Sequence, residues 1–166
     1  MSGKRRDAGK PRYWHAGWSG RQVSDLLLPL AKQQNLYANA MRVGVKQARE
    51  QSDDPDLASG RIYDINKLYV TSDRDFAHAW AVCMPDPQNL AMLQMLFGVG
   101  ERAYYEVELL DAFGDRLRVP PESDPDYAIG SFQVDMARVI AVHRPQMSRA
   151  AGQVHMHRMA TTARGT

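Results

Sequence analysis

The sequence predicts a single domain of the α+β class. At 166 residues the chain suits one hydrophobic core, and its 44% hydrophobic and 24% charged residues are typical of globular proteins. At least three segments have the apolar pattern of β-strands. The predicted helices follow the strand at 67–71 and do not alternate with every strand, which favours α+β over a doubly wound parallel sheet.

Composition excludes several protein classes. The single cysteine, Cys83, cannot form an internal disulfide, and we expect it to be a small buried hydrophobic residue. His155 and His157 lack a nearby third ligand, so no metal site is predicted. The chain has no long apolar run, and polar residues follow the basic start, so we predict a soluble, cytoplasmic protein with no membrane contact.

Positive charge is concentrated at the two ends of the chain. Residues 1–12 contain five basic residues and one acid, and residues 144–166 contain four arginines and no acid. The remainder has 12 basic and 18 acidic residues. We therefore predict a basic flexible tail at 1–12, a folded domain at 13–145 and a second basic flexible tail at 146–166. Such tails could contact nucleic acid weakly.

The first half of the domain contains a strand, a short apolar segment and a helix. Residues 13–17 form an apolar and aromatic run that meets a glycine, and alternation places Tyr13 and His15 on one face. Residues 23–30 are apolar and reach Pro29. Residues 35–49 have helical composition, and residues 51–60 are predicted to be an exposed loop. The predicted helix has a shared side formed by Leu36, Ala40, Val43 and Gln47.

The most regular stretch is a strand at 67–71 followed directly by a helix. Alternation puts Leu68 and Val70 on one face and Lys67, Tyr69 and Thr71 on the other. Ser72 and Asp75 resemble a capping box, which predicts that a helix begins there. The residues that this helix is expected to bury are Phe76, Ala77, Trp80 and Ala81.

The second half contains one more helix and the remaining strands. Asp86 and Pro87 form a helix start, and the apolar helix should end at Gly98. Its stripe of Met92, Leu93, Met95 and Leu96 is predicted to lie in the core. Strands are predicted at 102–110 and 130–143, with a possible paired segment at 113–118 and a rigid acidic loop at 120–126.

Common nucleotide and hydrolase motifs are missing, but polar residues gather at predicted strand ends. The sequence has no Walker loop, no G-x-G-x-x-G and no G-x-S-x-G. His15, Tyr69, Thr71 and either Asp124 or Asp126 occupy separate strand ends or the proline-containing loop. Polar groups from different strands that converge on one crevice are typical of a ligand site.

Three blocks resemble the small bacterial ADP-ribosyltransferases of the rifampicin ADP-ribosyltransferase type and their actinobacterial relatives. The first contains Tyr-Trp-His-Ala-Gly at 13–17 and Asp-Leu-Leu-Leu-Pro at 25–29. The second runs from Leu68 to Ala81, and the third combines Tyr-Glu-Val-Glu-Leu at 105–109 with Asp-Pro at 124–125 and the strand at 137–142. Together the blocks cover about half the chain, and the resemblance implies the family's split β-sheet core with a few flanking helices.

The resemblance also implies NAD as co-substrate and a role for each matched residue. His15 would hydrogen-bond the adenosine-side ribose, the backbone at Ala16 and Gly17 would hold the nicotinamide amide, and Tyr69 would stack on the nicotinamide ring. Asp124 would stabilise the oxocarbenium ion or accept a proton from the nucleophile, with Asp126 as the alternative. Further residues expected at the NAD site are Thr71 and Gln133.

Two other functions remain open at this point. An RNA 2′-phosphotransferase would share the fold and consume NAD, but it needs arginines in the pocket. A non-catalytic binding or assembly protein could keep the same fold. For the transferase, the acceptor could be a small molecule such as an antibiotic, a protein or a nucleic acid.

Overall fold

The structure is a computed structural model that describes residues 10–85, 87–127 and 130–164. Within them the chain has an α+β fold with one seven-stranded sheet. The elements are β1 (Tyr13–Trp18), β2 (Leu26–Leu27), α1 (Leu36–Gln51), α2 (Pro55–Ala58), β3 (Leu68–Thr71), α3 (Arg74–Cys83), α4 (Pro87–Phe97), β4 (Arg102–Leu110), β5 (Glu122–Ser123), β6 (Ser131–Val134), β7 (Met136–His143) and α5 (Arg149–Arg164). No described helix has the length and hydropathy needed to cross a membrane.

The strands are all paired antiparallel in the order β2-β7-β4-β1-β3-β6-β5. β1 pairs with β4 over six residues but with β3 only at Trp14–Thr71. The sheet therefore consists of two halves, β2-β7-β4-β1 and β3-β6-β5, that meet at a narrow junction.

The predicted final strand at 130–143 is two strands, because the chain changes halves at Asp135. β6 pairs with β3, and β7 pairs with β4. In a flat sheet these strands would lie about 19 Å apart, which is four strand spacings. Two peptide units span only about 7 Å. The two halves must therefore fold towards each other around a common core.

The core between the halves is formed by the alternating residues of the long strands. Tyr105 and Val139 are fully buried there, and β3 contributes Leu68 and Val70 as predicted. Each such side chain stabilises the fold by roughly 1.5–3 kcal/mol. On the other face of the sheet, Trp14 and Tyr104 pack against Ala77 and Ala81 of α3.

Helix α3 begins one residue later than the capping prediction. Its N-cap is Asp73, whose carboxylate accepts hydrogen bonds from the backbone N–H groups of Asp75 and Phe76 at 2.9 and 3.1 Å. The capping-box assignment to Ser72 was therefore wrong. The prediction that Phe76, Ala77 and Ala81 are buried is confirmed, and Trp80 is partly buried.

In two helices, α1 and α4, residues that the sequence pattern grouped on one side of the helix are exposed. In α1 the shared side is exposed, with Leu36 73% accessible, and the helix instead buries Ala38. In α4 the predicted core stripe was wrong, because Met95 is 79% exposed and Leu96 is also exposed. A helix period shows which residues share a side, but it does not show which side faces the protein.

The C-terminal segment predicted as a tail contains helix α5, which packs on α3. Gly152 is buried at this contact, and a Cβ there would lie 2.6 Å from a Val82 methyl and 2.9 Å from the Cys83 sulfur. Cys83 is buried as expected. The helix was missed because its contact strip contains glycine, histidine and methionine in place of a dense apolar stripe. Of the predicted N-terminal tail, residues 1–9 lie outside the described residues.

The predicted loops acquire limited structure. α2 occupies part of the expected loop at 51–60. The segment at 113–118 pairs with β4 through a bridge between Leu110 and Arg116. β2 is the two-residue remainder of the apolar segment at 23–30.

Candidate functional site

Most of the predicted site residues line one cavity beside the junction of the two sheet halves. This aromatic cavity has a volume of about 270 Å³ and lies between β1, β3, α3 and the loop that follows β5. Its walls are mainly aromatic, with two carboxylates. They are formed by Trp14, His15, Ala16, Tyr63, Tyr69, Val70, Thr71, Phe76, Ala77, Trp80, Asp124, Asp126, Tyr127 and Ser131.

A second cavity of about 320 Å³ adjoins the first. It is lined by Gly17 and by apolar residues of the β2 segment and α1, and its charged residues are Arg21, Asp64 and Lys67. Lys67 is paired with Asp135 at 3.2 Å. His15, Tyr63 and Tyr69 belong to the walls of both cavities. Each volume is near the lower limit for a small-molecule site, and two adjoining cavities suit an elongated ligand with two halves.

His15 spans the junction between β1 and β3. Its Nδ1 lies 2.8 Å from the carbonyl oxygen of Tyr69. A carbonyl can only accept, so Nδ1 carries the proton and donates. Burial lowers the pKa of His15 from its ordinary 6.5 to about 4, against the opposing effect of this hydrogen bond. At neutral pH the ring is therefore uncharged, and its Nε2 is an acceptor.

Gly17 leaves the Nε2 edge of this imidazole uncrowded. A Cβ at Gly17 would lie 3.2 Å from Nε2 of His15, which is tighter than an ordinary contact. Ala16, on the opposite face of β1, lines the aromatic cavity and packs near Trp14. The predicted backbone segment Ala16–Gly17 thus borders both cavities, one residue on each side.

Tyr69 is held at its hydroxyl by two donors. The backbone N–H of Asp64 donates to Tyr69 Oη at 2.7 Å, and the Gln133 amide donates at 3.2 Å. Burial raises the pKa of Tyr69 to about 12, and the charge of Asp124 adds to that effect. The ring is consequently a fixed, neutral wall. Gln133 is buried behind Tyr69 and borders neither cavity, so it positions the tyrosine.

Asp124 lies at the end of a row of polar residues that runs from Thr71 of β3 through Ser131 of β6 to the residue after β5. Thr71 pairs with Ser131, and the backbone N–H of Asp124 donates to the Ser131 carbonyl at 2.9 Å. The Thr71 hydroxyl donates to the Gly130 carbonyl at 2.6 Å and accepts from the Asp73 N–H at 3.0 Å. Thr71 therefore fixes the connection from β3 to α3, although it also lines the cavity.

The structure distinguishes the two candidate acids. Asp124 is only 3% exposed, and its two oxygens accept hydrogen bonds from the Ser131 hydroxyl and the Asp126 N–H, both at 3.0 Å. Asp126 as a whole residue is exposed. Partial burial of its carboxyl group raises the pKa of that group, and the nearby charge of Asp124 adds to the effect. Asp124 is thus the fixed carboxylate of the cavity, and Asp126 is an exposed acid that also lines it.

Sequence reasoning missed the aromatic residues that enclose these carboxylates. Phe76, Trp80 and Tyr127 form a cluster with ring centroids 5.6–6.0 Å apart. Tyr63 joins them from the loop before β3, with a positive φ of 52°. Burial raises the pKa of Tyr63 and of Tyr127, and the charges of Asp124 and Asp126 contribute. Tyr127 follows the predicted acidic loop directly, but Tyr63 has no local sequence signal.

No family model matches this chain, and no curated protein shows significant sequence similarity to it. The chemistry of the site therefore has to be inferred from the residues themselves.

Proposed function

We propose that this chain is an NAD-dependent ADP-ribosyltransferase, which transfers ADP-ribose from NAD to an acceptor nucleophile and releases nicotinamide. The observation that carries the proposal is the buried Asp124 carboxylate in an aromatic cavity that shares His15 and Tyr69 with a second cavity. The resemblance of the three sequence blocks supports the same reaction.

The charge of the aromatic cavity suits the reacting end of NAD. The nicotinamide ring of NAD is a planar cation, and aromatic faces attract cations by roughly 0.5–2 kcal/mol. When the bond between nicotinamide and ribose breaks, the electron pair leaves with nicotinamide, and positive charge develops on the sugar. A fixed carboxylate such as Asp124 stabilises this charge without reorganising. Tyr69 and Trp80 supply aromatic surface beside it.

His15 is suited to bind a ribose hydroxyl. Its neutral ring donates from Nδ1 to the Tyr69 carbonyl, so Nε2 can accept a hydrogen bond. Such a bond contributes about 1 kcal/mol to binding. In this arrangement nicotinamide and its ribose occupy the aromatic cavity, the backbone at Ala16 and Gly17 holds the nicotinamide amide, and the adenosine half occupies the second cavity. Arg21 in the second cavity offers a charge for the diphosphate.

The architecture supports the proposed fold family as well. The resemblance implies a split β-sheet core. The narrow junction at Trp14–Thr71 and the bridging hydrogen bond from His15 support that assignment. The two carboxylates of the aromatic cavity do not favour an RNA 2′-phosphotransferase, whose substrate phosphate requires cations at the reacting end.

The test is nicotinamide release from NAD by the purified protein, with Asp124→Asn and Asp126→Asn as a matched pair. An asparagine at 124 can still accept from the Asp126 N–H and can donate to the Ser131 hydroxyl, so it removes charge while keeping both contacts. We expect Asp124→Asn to lower turnover by about 100-fold or more, with NAD affinity little changed. Asp126→Asn should lower it by less than about tenfold.

Acceptors are added in turn: rifampicin, RNA and a cell lysate. An addition that accelerates nicotinamide release identifies the acceptor class. Equal activity of the two asparagine variants would contradict the role of Asp124. A folded protein that neither binds NAD nor releases nicotinamide under any of these conditions would refute the proposal and leave a non-catalytic binding role.

A further inference from the structure

A cleft larger than the two cavities described above has no role in the proposed reaction. It has a volume of about 1190 Å³ and lies at the start of β1, beside residues 106–109 of β4 and the segment 116–121. We call this cleft the cationic groove, because five basic side chains and two carboxylates line it. The basic residues are Lys10, Arg12, Arg74, Arg116 and Arg118, and the acidic residues are Glu106 and Glu108.

The two carboxylates are already engaged in ion pairs. Glu106 accepts two hydrogen bonds from Arg12 at 2.7 and 2.8 Å, and this contact lowers the pKa of Glu106. Glu108 pairs with Arg138 at 3.3 Å and with Arg116 at 3.6 Å. The negative charges of the groove are thus neutralised locally.

Two arginines of the groove form no ion pair with a described carboxylate. Arg74 lies over the rings of Trp14 and Tyr104 at 5.4 and 5.8 Å, and it donates to the Tyr104 hydroxyl at 3.3 Å. Arg118 is exposed and has no hydrogen bond or ion pair in the described structure. The planar guanidinium group of arginine matches phosphate oxygens in a bidentate geometry.

The groove also has apolar surface between its cations. Val119 and Ile140 are exposed there, and Tyr13 contributes an aromatic ring. A single-stranded nucleic acid presents both phosphates and unstacked base faces, whereas a duplex presents mainly phosphates. The apolar lining therefore favours a single strand.

We propose that the cationic groove binds single-stranded nucleic acid through phosphate contacts from Arg74 and Arg118. The site is separate from the NAD chemistry proposed above, because oligonucleotide binding is measured without NAD. It is nevertheless close to the aromatic cavity. Trp14, which lines that cavity, lies under the guanidinium groups of Arg12 and Arg74 at 5.0 and 5.4 Å.

The experiment measures the anisotropy of a fluorescein-labelled oligothymidylate titrated with the full-length protein at several salt concentrations. Each phosphate contact on a single strand contributes about 0.7 to the slope of log affinity against log salt, or about fivefold in affinity at 0.1 M salt. Arg118→Gln should therefore weaken binding about fivefold. The double variant Arg74→Gln/Arg118→Gln should weaken it about 25-fold and reduce the slope by about 1.4.

The matched control is Arg158→Gln, which removes an exposed arginine on α5, outside the groove. Its affinity should stay within about twofold of the unmodified protein. Because Arg118 is exposed, its variant tests the groove even if Arg74→Gln disturbs the packing on Trp14. No binding at about 50 mM salt, or equal losses for Arg118→Gln and Arg158→Gln, would overturn the proposal. Equal competition by polyglutamate of the same charge would overturn the nucleic-acid assignment.

Discussion

Acid should destabilise this protein through His15, and the size of the effect follows from its buried position. The pKa of His15 is lowered from 6.5 to about 4 in the folded protein, mainly by burial. The unfolded chain therefore takes up the proton at a higher pH than the folded chain does. The contribution of His15 to the free energy of unfolding is complete above pH 6.5 and is lost as the pH falls towards 4. Its full value is about 3 kcal/mol, of which about 2 kcal/mol is lost between pH 7 and pH 5.

His15→Asn isolates this contribution, because the asparagine amide can take the place of Nδ1 and donate to the Tyr69 carbonyl without titrating. The free energy of unfolding of both proteins is measured by urea denaturation between pH 7 and pH 5. His78 and His143 also have lowered pKa values through burial, so both curves should fall with acid. The difference between the curves should change by about 2 kcal/mol in favour of the variant at low pH. Parallel curves would show that His15 does not carry the effect.

Four further substitutions test the fold and the site. Gly152→Ala should destabilise the protein by about 1–3 kcal/mol, because its Cβ would lie 2.6 Å from a valine methyl of α3. The control Gly44→Ala in α1 places a Cβ that meets no atom within 4 Å, and it should stabilise the protein by about 0.5–1 kcal/mol. Thermal denaturation measures both effects. Asp73→Ala removes the N-cap of α3 and should lower the free energy of unfolding by about 1–2 kcal/mol in urea titrations. Under the proposed function, Gly17→Ala should raise KM for NAD about tenfold by pressing on His15, with kcat changed less; an unchanged KM would contradict the ribose contact.

The strands were predictable where the alternation of apolar residues is strong. They were not predictable where a single residue redirects the chain. Alternation predicts a strand at 102–110, and β4 has those bounds. The stretch at 130–143 is rich in Val, Ile and Ala and was predicted as one strand, whereas Asp135 separates two strands in different halves of the sheet. The change of partner is a long-range property, because it depends on where β3 and β4 already lie.

The site was predictable as a set of residue types but not as a geometry. His15 and Tyr69 were named from the predicted strands, and Asp124 was named with Asp126 from the proline-containing loop. All of them line one cavity. The choice between Asp124 and Asp126 depends on β5, a strand of two residues that no periodicity can reveal. The position of Tyr63 depends on a loop with a left-handed residue, for which tyrosine is an unusual choice.

Helix α3 links the stability of the C-terminal helix to the geometry of the aromatic cavity. Its inner side carries Phe76 and Trp80 into the cavity wall, and its outer side receives α5 at Gly152. The N-cap residue Asp73 connects α3 with α5, because its carboxylate caps α3 and also contacts His155 of α5 at 3.3 Å. A segment whose sequence predicts a tail therefore supports the helix that encloses the proposed nicotinamide site. Removing α5 would expose Ala79, which is fully buried, and would leave one face of a cavity-forming helix without packing.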